Sequence, residues 1–107
     1  MSNKRFLYGG ILLDENELRT NNIYHNIEVE YYKTTNDKIS LFKRKQKVYG
    51  IEVVMREYVN GEVITSKEKI SELTQKEESV EKVLEVLKRN VVTPTTFKEV
   101  IEDLFNY

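Results

Sequence analysis

The sequence predicts an α+β fold, with an antiparallel sheet of about four to five strands followed by two C-terminal helices packed on one face. Two observations lead to this fold class. Alternating apolar and polar residues surround Asn60-Gly61, and Asn-Gly is the strongest short-range signal for a β-hairpin. Two stretches with helical periodicity then follow, joined by so short a connector that the helices must be neighbours. At 107 residues the chain fits one domain, residues 1–107.

The first half of the chain predicts further strands. Residues 4–13 contain two apolar triplets separated by Gly9-Gly10, which predicts a short strand broken or turned at the glycines. A loop is expected over residues 14–22. A second strand follows, because residues of one parity are apolar, namely Ile23, Ile27, Val29 and Tyr31. Residues 34–38 have the composition of a turn, after which Ile39 restarts the alternation.

The Asn60-Gly61 pair predicts a hairpin between a strand at Val48–Val59 and a return strand from about Glu62 to Ile70. A tight two-residue turn would place Glu57 on the apolar face of the first strand, opposite Ile64. A bulge or a three-residue loop would relieve that conflict. The hairpin is therefore predicted, and its register is left open.

Capping signals predict where the two helices begin and end. Thr74 to Glu77 matches a capping box, and Asn90 suits a left-handed C-cap for the same helix. Thr93 is expected to cap the second helix, with Pro94 in its first turn. The apolar stripes of the two helices are Val80, Val83, Leu84 and Leu87, and then Phe97, Val100, Ile101 and Leu104.

Composition narrows the class of protein. The chain has no cysteine, which excludes disulfides and thiolate metal sites, and we expect no cofactor and no metal. No apolar run approaches the roughly 20 residues of a membrane helix, nor does a signal peptide open the chain, so we expect a cytoplasmic protein without membrane contact. The formal net charge of −1 argues against obligate nucleic-acid binding through overall charge.

A basic segment is the first candidate site. Phe42 and Tyr49 flank it, and basic side chains beside aromatics can bind phosphates and stack bases. The alternative explanation is a solvated strand end, where lysine also discourages edge-to-edge aggregation. The residues that would contact nucleic acid are Lys43, Arg44, Lys45 and Lys47.

Catalytic signals are weak. His25 is the sole histidine, and no spacing around it suggests metal ligands. Glu28 and Glu30 share one strand face, as paired catalytic carboxylates could, but acids on a solvent face are the usual explanation. Gly9-Gly10 lacks the third glycine and the Lys-Ser/Thr of a phosphate-binding loop. We therefore assign no catalytic residue and expect a protein that is not an enzyme.

Tyrosine is abundant, with seven in the chain. Several lie in predicted strands, where alternate side chains would face outward and could form an interface patch. The alternative is that they fill the sheet, because tyrosine suits a pleated surface. The candidate interface residues are Tyr31, Tyr32, Tyr49 and Tyr58.

The second half of the chain resembles a family of small uncharacterised proteins of clostridia and related Firmicutes. The motifs are Tyr49-Gly50-Ile51-Glu52, the Asn60-Gly61 hairpin, Val92-Thr93-Pro94 and the helix that follows, within residues 48–105. The resemblance implies a bacterial, cytoplasmic protein, and it carries over no functional residues because the function of that family is unknown. The stretch 38–47 is longer and more basic here than the family pattern.

These observations favour a non-enzymatic binding or regulatory module that acts through protein–protein contacts, with a second copy of the chain as one candidate partner. Exposed sheet edges and tyrosine-rich strands would supply the contact surface. The alternative is a nucleic-acid-binding protein that uses the basic segment 43–47.

Overall fold

The computed structural model describes residues 3–14, 25–39, 41 and 44–105. Within them, four strands form one antiparallel sheet in the order β1-β2-β3-β4, and two helices follow. The predicted α+β fold class is confirmed. The predicted positions Ile23 and Lys43 and most of the loop over 14–22 lie outside the described residues. The elements are β1 Asn3–Leu13, β2 Asn26–Ile39, β3 Lys45–Val59, β4 Glu62–Thr74, α1 Glu77–Arg89 and α2 Pro94–Phe105.

The core lies between one face of the sheet and the two helices. The apolar parity of β2 and β3 faces the helical stripes, because residues opposite each other on paired strands share a face. Tyr31 lies at the centre, fully buried, and its hydroxyl donates a hydrogen bond to the Val92 carbonyl oxygen at 2.8 Å. Burial raises the pKa of Tyr31 to about 12. The other fully buried large residues are Val29, Ile51, Val53, Val80, Leu84, Leu87, Phe97 and Ile101.

The predicted turn at residues 34–38 is wrong. These residues belong to β2 and pair without interruption with β3, from Thr34 opposite Gly50 to Lys38 opposite Gln46. The connection falls instead between Ile39 and Lys45, which are paired. Thr, Asn and Asp favour turns only as local preferences, and a long ladder overrides them.

The hairpin between β3 and β4 has the tight turn. Asn60 and Gly61 have φ values of 51° and 79°, as a two-residue type I′ turn requires. The register that the sequence left open is the tight one: Glu57 lies opposite Ile64, with no bulge between them and the turn. His25 partners Glu57, with 3.1 Å between the His25 Nε2 and Glu57 Oε1 atoms.

The glycines of β1 do not break the strand. The register shifts between Leu7 and Gly9, which leaves Tyr8 as an extra residue in a bulge. The strand then continues through Gly10 to Leu13. The predicted interruption is therefore a bulge within one long strand.

The helix ends differ in part from their predicted positions. Thr74 still belongs to β4, and its hydroxyl accepts a hydrogen bond from the Lys76 amide at 3.0 Å. The N-cap of α1 is Lys76, so the predicted capping box from Thr74 to Glu77 is wrong. At the other end, Asn90 has φ −96° and Val91 takes the positive φ instead. Helix α2 begins at Pro94, as predicted.

Gly50 allows β4 to cross close to β3. A Cβ atom added at Gly50 would lie 2.1 Å from the Ile70 carbonyl oxygen and 2.7 Å from the Ser71 backbone. The β3–β4 register shifts at this point, and the Asn36 side-chain amide donates to the Ser71 carbonyl oxygen at 3.3 Å. A side chain at position 50 would therefore displace the β4 backbone.

Candidate functional site: the β1 edge and the open face of the sheet

The sheet has a second face, opposite the helices, which we call the open face. Tyr31 and Val53 face the helices, so their chain neighbours Tyr32 and Glu52, which are also paired, face the other way. By this register the open face carries Arg5, Leu7 and Leu12 of β1, Glu28, Glu30 and Tyr32 of β2, and Glu52, Val54 and Arg56 of β3.

Arg5 joins β1 to the centre of the open face. Its Nη1 donates to the Glu52 carboxylate at 2.9 Å, and its guanidinium carbon lies 4.0 Å from the centroid of the Tyr32 ring. The hydrogen bond to Glu52 raises the pKa of Arg5. Glu52 is buried, and the Arg5 guanidinium neutralises its carboxylate.

Arg56 holds the two strand carboxylates that the sequence offered as a catalytic pair. Its guanidinium donates to Glu28 at 3.0 Å and also to Glu30. These hydrogen bonds raise the pKa of Arg56, and the bond from Arg56 lowers the pKa of Glu30. His25 lies against Glu57, on the helix side of the sheet. The three residues considered for catalysis are therefore divided between the two faces.

Four of the ten large apolar residues that are exposed in the described part of the chain lie on β1, more than on any other element. Phe6, Leu7, Tyr8 and Leu12 are 48%, 59%, 41% and 62% exposed, and Ile11 and Leu13 are half-buried. Residues Phe6–Leu13, which we call the β1 edge, contain no charged side chain. Within the described residues β1 pairs only with β2, so its outer backbone groups have no neighbouring strand. Such an edge can accept another strand.

The opposite edge strand, β4, has a different character. Lys67, Glu68 and Lys69 alternate in sign along it. Lys98 of α2 reaches Glu68 at 3.3 Å, and Lys38 reaches Glu72 at 3.5 Å. Charges of this kind discourage a further strand from pairing.

The four candidate tyrosines do not form one patch. Tyr31 is in the core, and Tyr32 is buried on the open face beneath Arg5. Tyr49 packs half-buried against the core, and Tyr58 is exposed at the hairpin end of β3. Tyr8, in the β1 bulge, was not among the candidates. The uncharged run around Gly9-Gly10 was the signal that could have drawn attention to it.

The basic segment lies at the end of the β2–β3 hairpin. Arg44, Lys45 and Lys47 are exposed there. In the part of the chain that the structure describes, no cluster of three or more His, Cys, Asp or Glu side chains could hold a metal ion.

Neither helix in the described part of the chain is long and apolar enough to cross a membrane. No curated protein and no solved structure matches the chain. A family model described as "Family of unknown function (DUF6514)" matches residues 13–106, which is most of the chain. The protein therefore belongs to this family of unknown function.

Proposed function

We propose that this chain is a non-enzymatic binding module that contacts a protein partner through the β1 edge. One observation carries the proposal. The β1 edge is uncharged, apolar and exposed, and it ends the described sheet. We also propose that the protein comes from a Firmicute and lies in the cytoplasm, because the composition and the family resemblance favour both.

Strand addition is the binding mode that suits this edge. An added strand would bond to the unpaired backbone groups of β1, which supplies affinity without any particular side chain. Leu7 and Leu12 project from the open face, and Phe6 projects from the helix face. A partner strand would therefore bury apolar surface on both sides of the sheet.

The ionisable groups support a binding role over a catalytic one. Glu28 and Glu30 share the Arg56 guanidinium, and Glu52 is bonded to Arg5. Lys33 is bonded to Glu77 and Glu81 of α1. Each of these groups serves to hold strands or helix together, which is a sufficient structural reason for its presence.

Nucleic-acid binding is the second candidate function, because Arg44, Lys45 and Lys47 are exposed together at one end of the molecule. It predicts an affinity that falls steeply with salt and that disappears when these residues and Lys43 are changed to glutamate. Lack of binding to single- or double-stranded nucleic acid at low salt would exclude it.

Site-specific photo-crosslinking in cells tests the main proposal. A photoreactive amino acid at Leu7 should link the chain to a second polypeptide. The matched control is Val63 on β4, which is exposed to 55% compared with 59% for Leu7. Linkage from position 7 and little from position 63 is expected. No linkage from position 7, or equal linkage from both, would contradict the proposal.

A further inference from the structure

We infer that the partner of the β1 edge is a second copy of this chain. Two β1 strands would pair antiparallel about a twofold axis, joining two four-stranded sheets into one of eight strands. The inference rests on the proposed role of β1 as a docking strand, and it adds the identity and register of the partner.

The twofold axis that we propose lies at Gly9. Leu7 lies opposite Tyr32 and Gly9 lies opposite Tyr31, with Tyr8 as the extra residue between them. Counted in these ladder positions, Leu7 and Gly10 are equally far from Gly9 on either side. An axis through Gly9 therefore sets Leu7 of one copy opposite Gly10 of the other.

The same axis matches faces as well as positions. Leu7 and Gly10 both belong to the open face, since they lie opposite Tyr32 and Glu30. Phe6 and Ile11 would also meet, and both belong to the helix face. Residues that face each other across an antiparallel pair must share a face, and this register satisfies that requirement along the strand.

Side-chain sizes are complementary in this register. Gly10 has no side chain at the position where Leu7 of the other copy needs room. Phe6 would instead meet Ile11, and aromatic–β-branched pairs stabilise antiparallel strands. One strand thus supplies both members of each cross-strand pair, as a self-complementary, isologous interface requires.

The β1 edge itself brings no like charges to the twofold axis, which would be the main electrostatic obstacle to self-association. On the helix face, Lys88 of α1 lies against Gly9, and Glu85 of the same helix lies beside Tyr8, so charges of both signs are present near the axis. The nearest charge on the open face, Arg5, is already bonded to Glu52. The net charge of −1 also leaves little overall repulsion between two copies.

Disulfide trapping tests this register, and the chain has no cysteine that would interfere. Opposed residues of antiparallel strands have Cα atoms about 4.5 to 5.5 Å apart, within the range a disulfide bridges. Differently tagged Leu7→Cys and Gly10→Cys proteins are mixed and oxidised mildly. We expect at least a tenfold excess of the mixed disulfide over the control mixture of Leu7→Cys with Val63→Cys.

A second pair of cysteine variants is needed because a side chain at position 10 could disturb the strand: an added Cβ at Gly10 would lie 3.3 Å from the Val29 carbonyl oxygen. Phe6→Cys mixed with Ile11→Cys should cross-link in the same way. If neither pair links and the unmodified purified chain sediments as a monomer, the second-copy inference fails. Photo-crosslinking from position 7 to a different protein would then leave the proposed function standing. No photo-crosslinking at all would remove both.

Discussion

The two edge strands of the sheet are held in different ways. At β4 the backbone crosses against Gly50, and residues 67–69 alternate in charge, while Val63 and Ile64 near the hairpin end are exposed and apolar. At β1 the strand is joined to the sheet through Arg5, which reaches Glu52 and Tyr32, and the residues from Phe6 to Leu13 carry no charge. The β4 edge is therefore fastened by steric fit and protected from pairing. The β1 edge is fastened by ionic contacts and remains available.

The difference shows that an exposed edge strand indicates a binding surface only when it is compared with the other edge strand of the same sheet. Natural sheets protect their edges with charges, short strands, bulges or covering elements. In this protein β4 carries charges at residues 67–69, whereas β1 has a bulge at Tyr8 and no charge from Phe6 to Leu13. The unequal protection is the reason to assign binding to β1.

The largest expected effect tests how β4 is fastened. Gly50→Ala should lower the free energy of unfolding by about 3 kcal/mol or more, because the added methyl group would overlap the Ile70 carbonyl oxygen. Gly10→Ala on β1 is the control and should cost about 1 kcal/mol or less, because its nearest neighbour is 3.3 Å away. Urea denaturation measures both; equal losses would refute the steric account of β4.

A smaller effect tests how β1 is fastened. Arg5→Ala should speed the hydrogen exchange of β1 amides several-fold while leaving β4 amides unchanged, because Arg5 bonds across to the central strand β3. Lys4→Ala, an exposed change on the same strand, is the control and should alter neither edge. Exchange that rises equally in both edge strands would show that Arg5 has no specific role at β1.

The smallest expected effect is a pH dependence from the open face. The bond from Arg56 lowers the pKa of Glu30 below its ordinary value of 4.5, so the folded state holds this proton less tightly than the unfolded chain. Its stabilising contribution is complete above pH 4.5 and is lost as pH falls through the lower, folded-state pKa. Urea denaturation between pH 7 and pH 3 should show that the free energy of unfolding falls more steeply with decreasing pH in the native chain than in Glu30→Gln. The same pH dependence in both proteins would contradict this role of Glu30.

The sequence predicted the elements whose signals are local. The Asn60-Gly61 turn needs positive φ at both positions, and Pro94 fits a first helical turn, so each signal was sufficient by itself. Residues 34–38 were assigned wrongly because their turn preference is weak beside a continuous ladder with β3. Thr74 was assigned to a cap because the sequence does not reveal that β4 extends to it.

The candidate site was less predictable, since it depends on strand order and on which face the helices cover. Tyr31 and Tyr32 are adjacent, yet one lies in the core and the other beneath Arg5 on the open face. The apolar parity of β2 indicated that Tyr31 faces the core, but the sequence did not reveal that Arg5 of another strand lies over Tyr32. The β1 edge was visible as an uncharged apolar run, and its place at the end of the sheet was not.

Sedimentation equilibrium on three proteins tests the central claim, that β1 and not β4 binds a partner chain. We expect the native chain to dimerise. Leu7→Lys should weaken that association at least about tenfold by adding like charges near the twofold axis. Val63→Lys on β4 should associate as the native chain does. A native chain that stays monomeric, or equal weakening by the two substitutions, would contradict the assignment of self-association to the β1 edge.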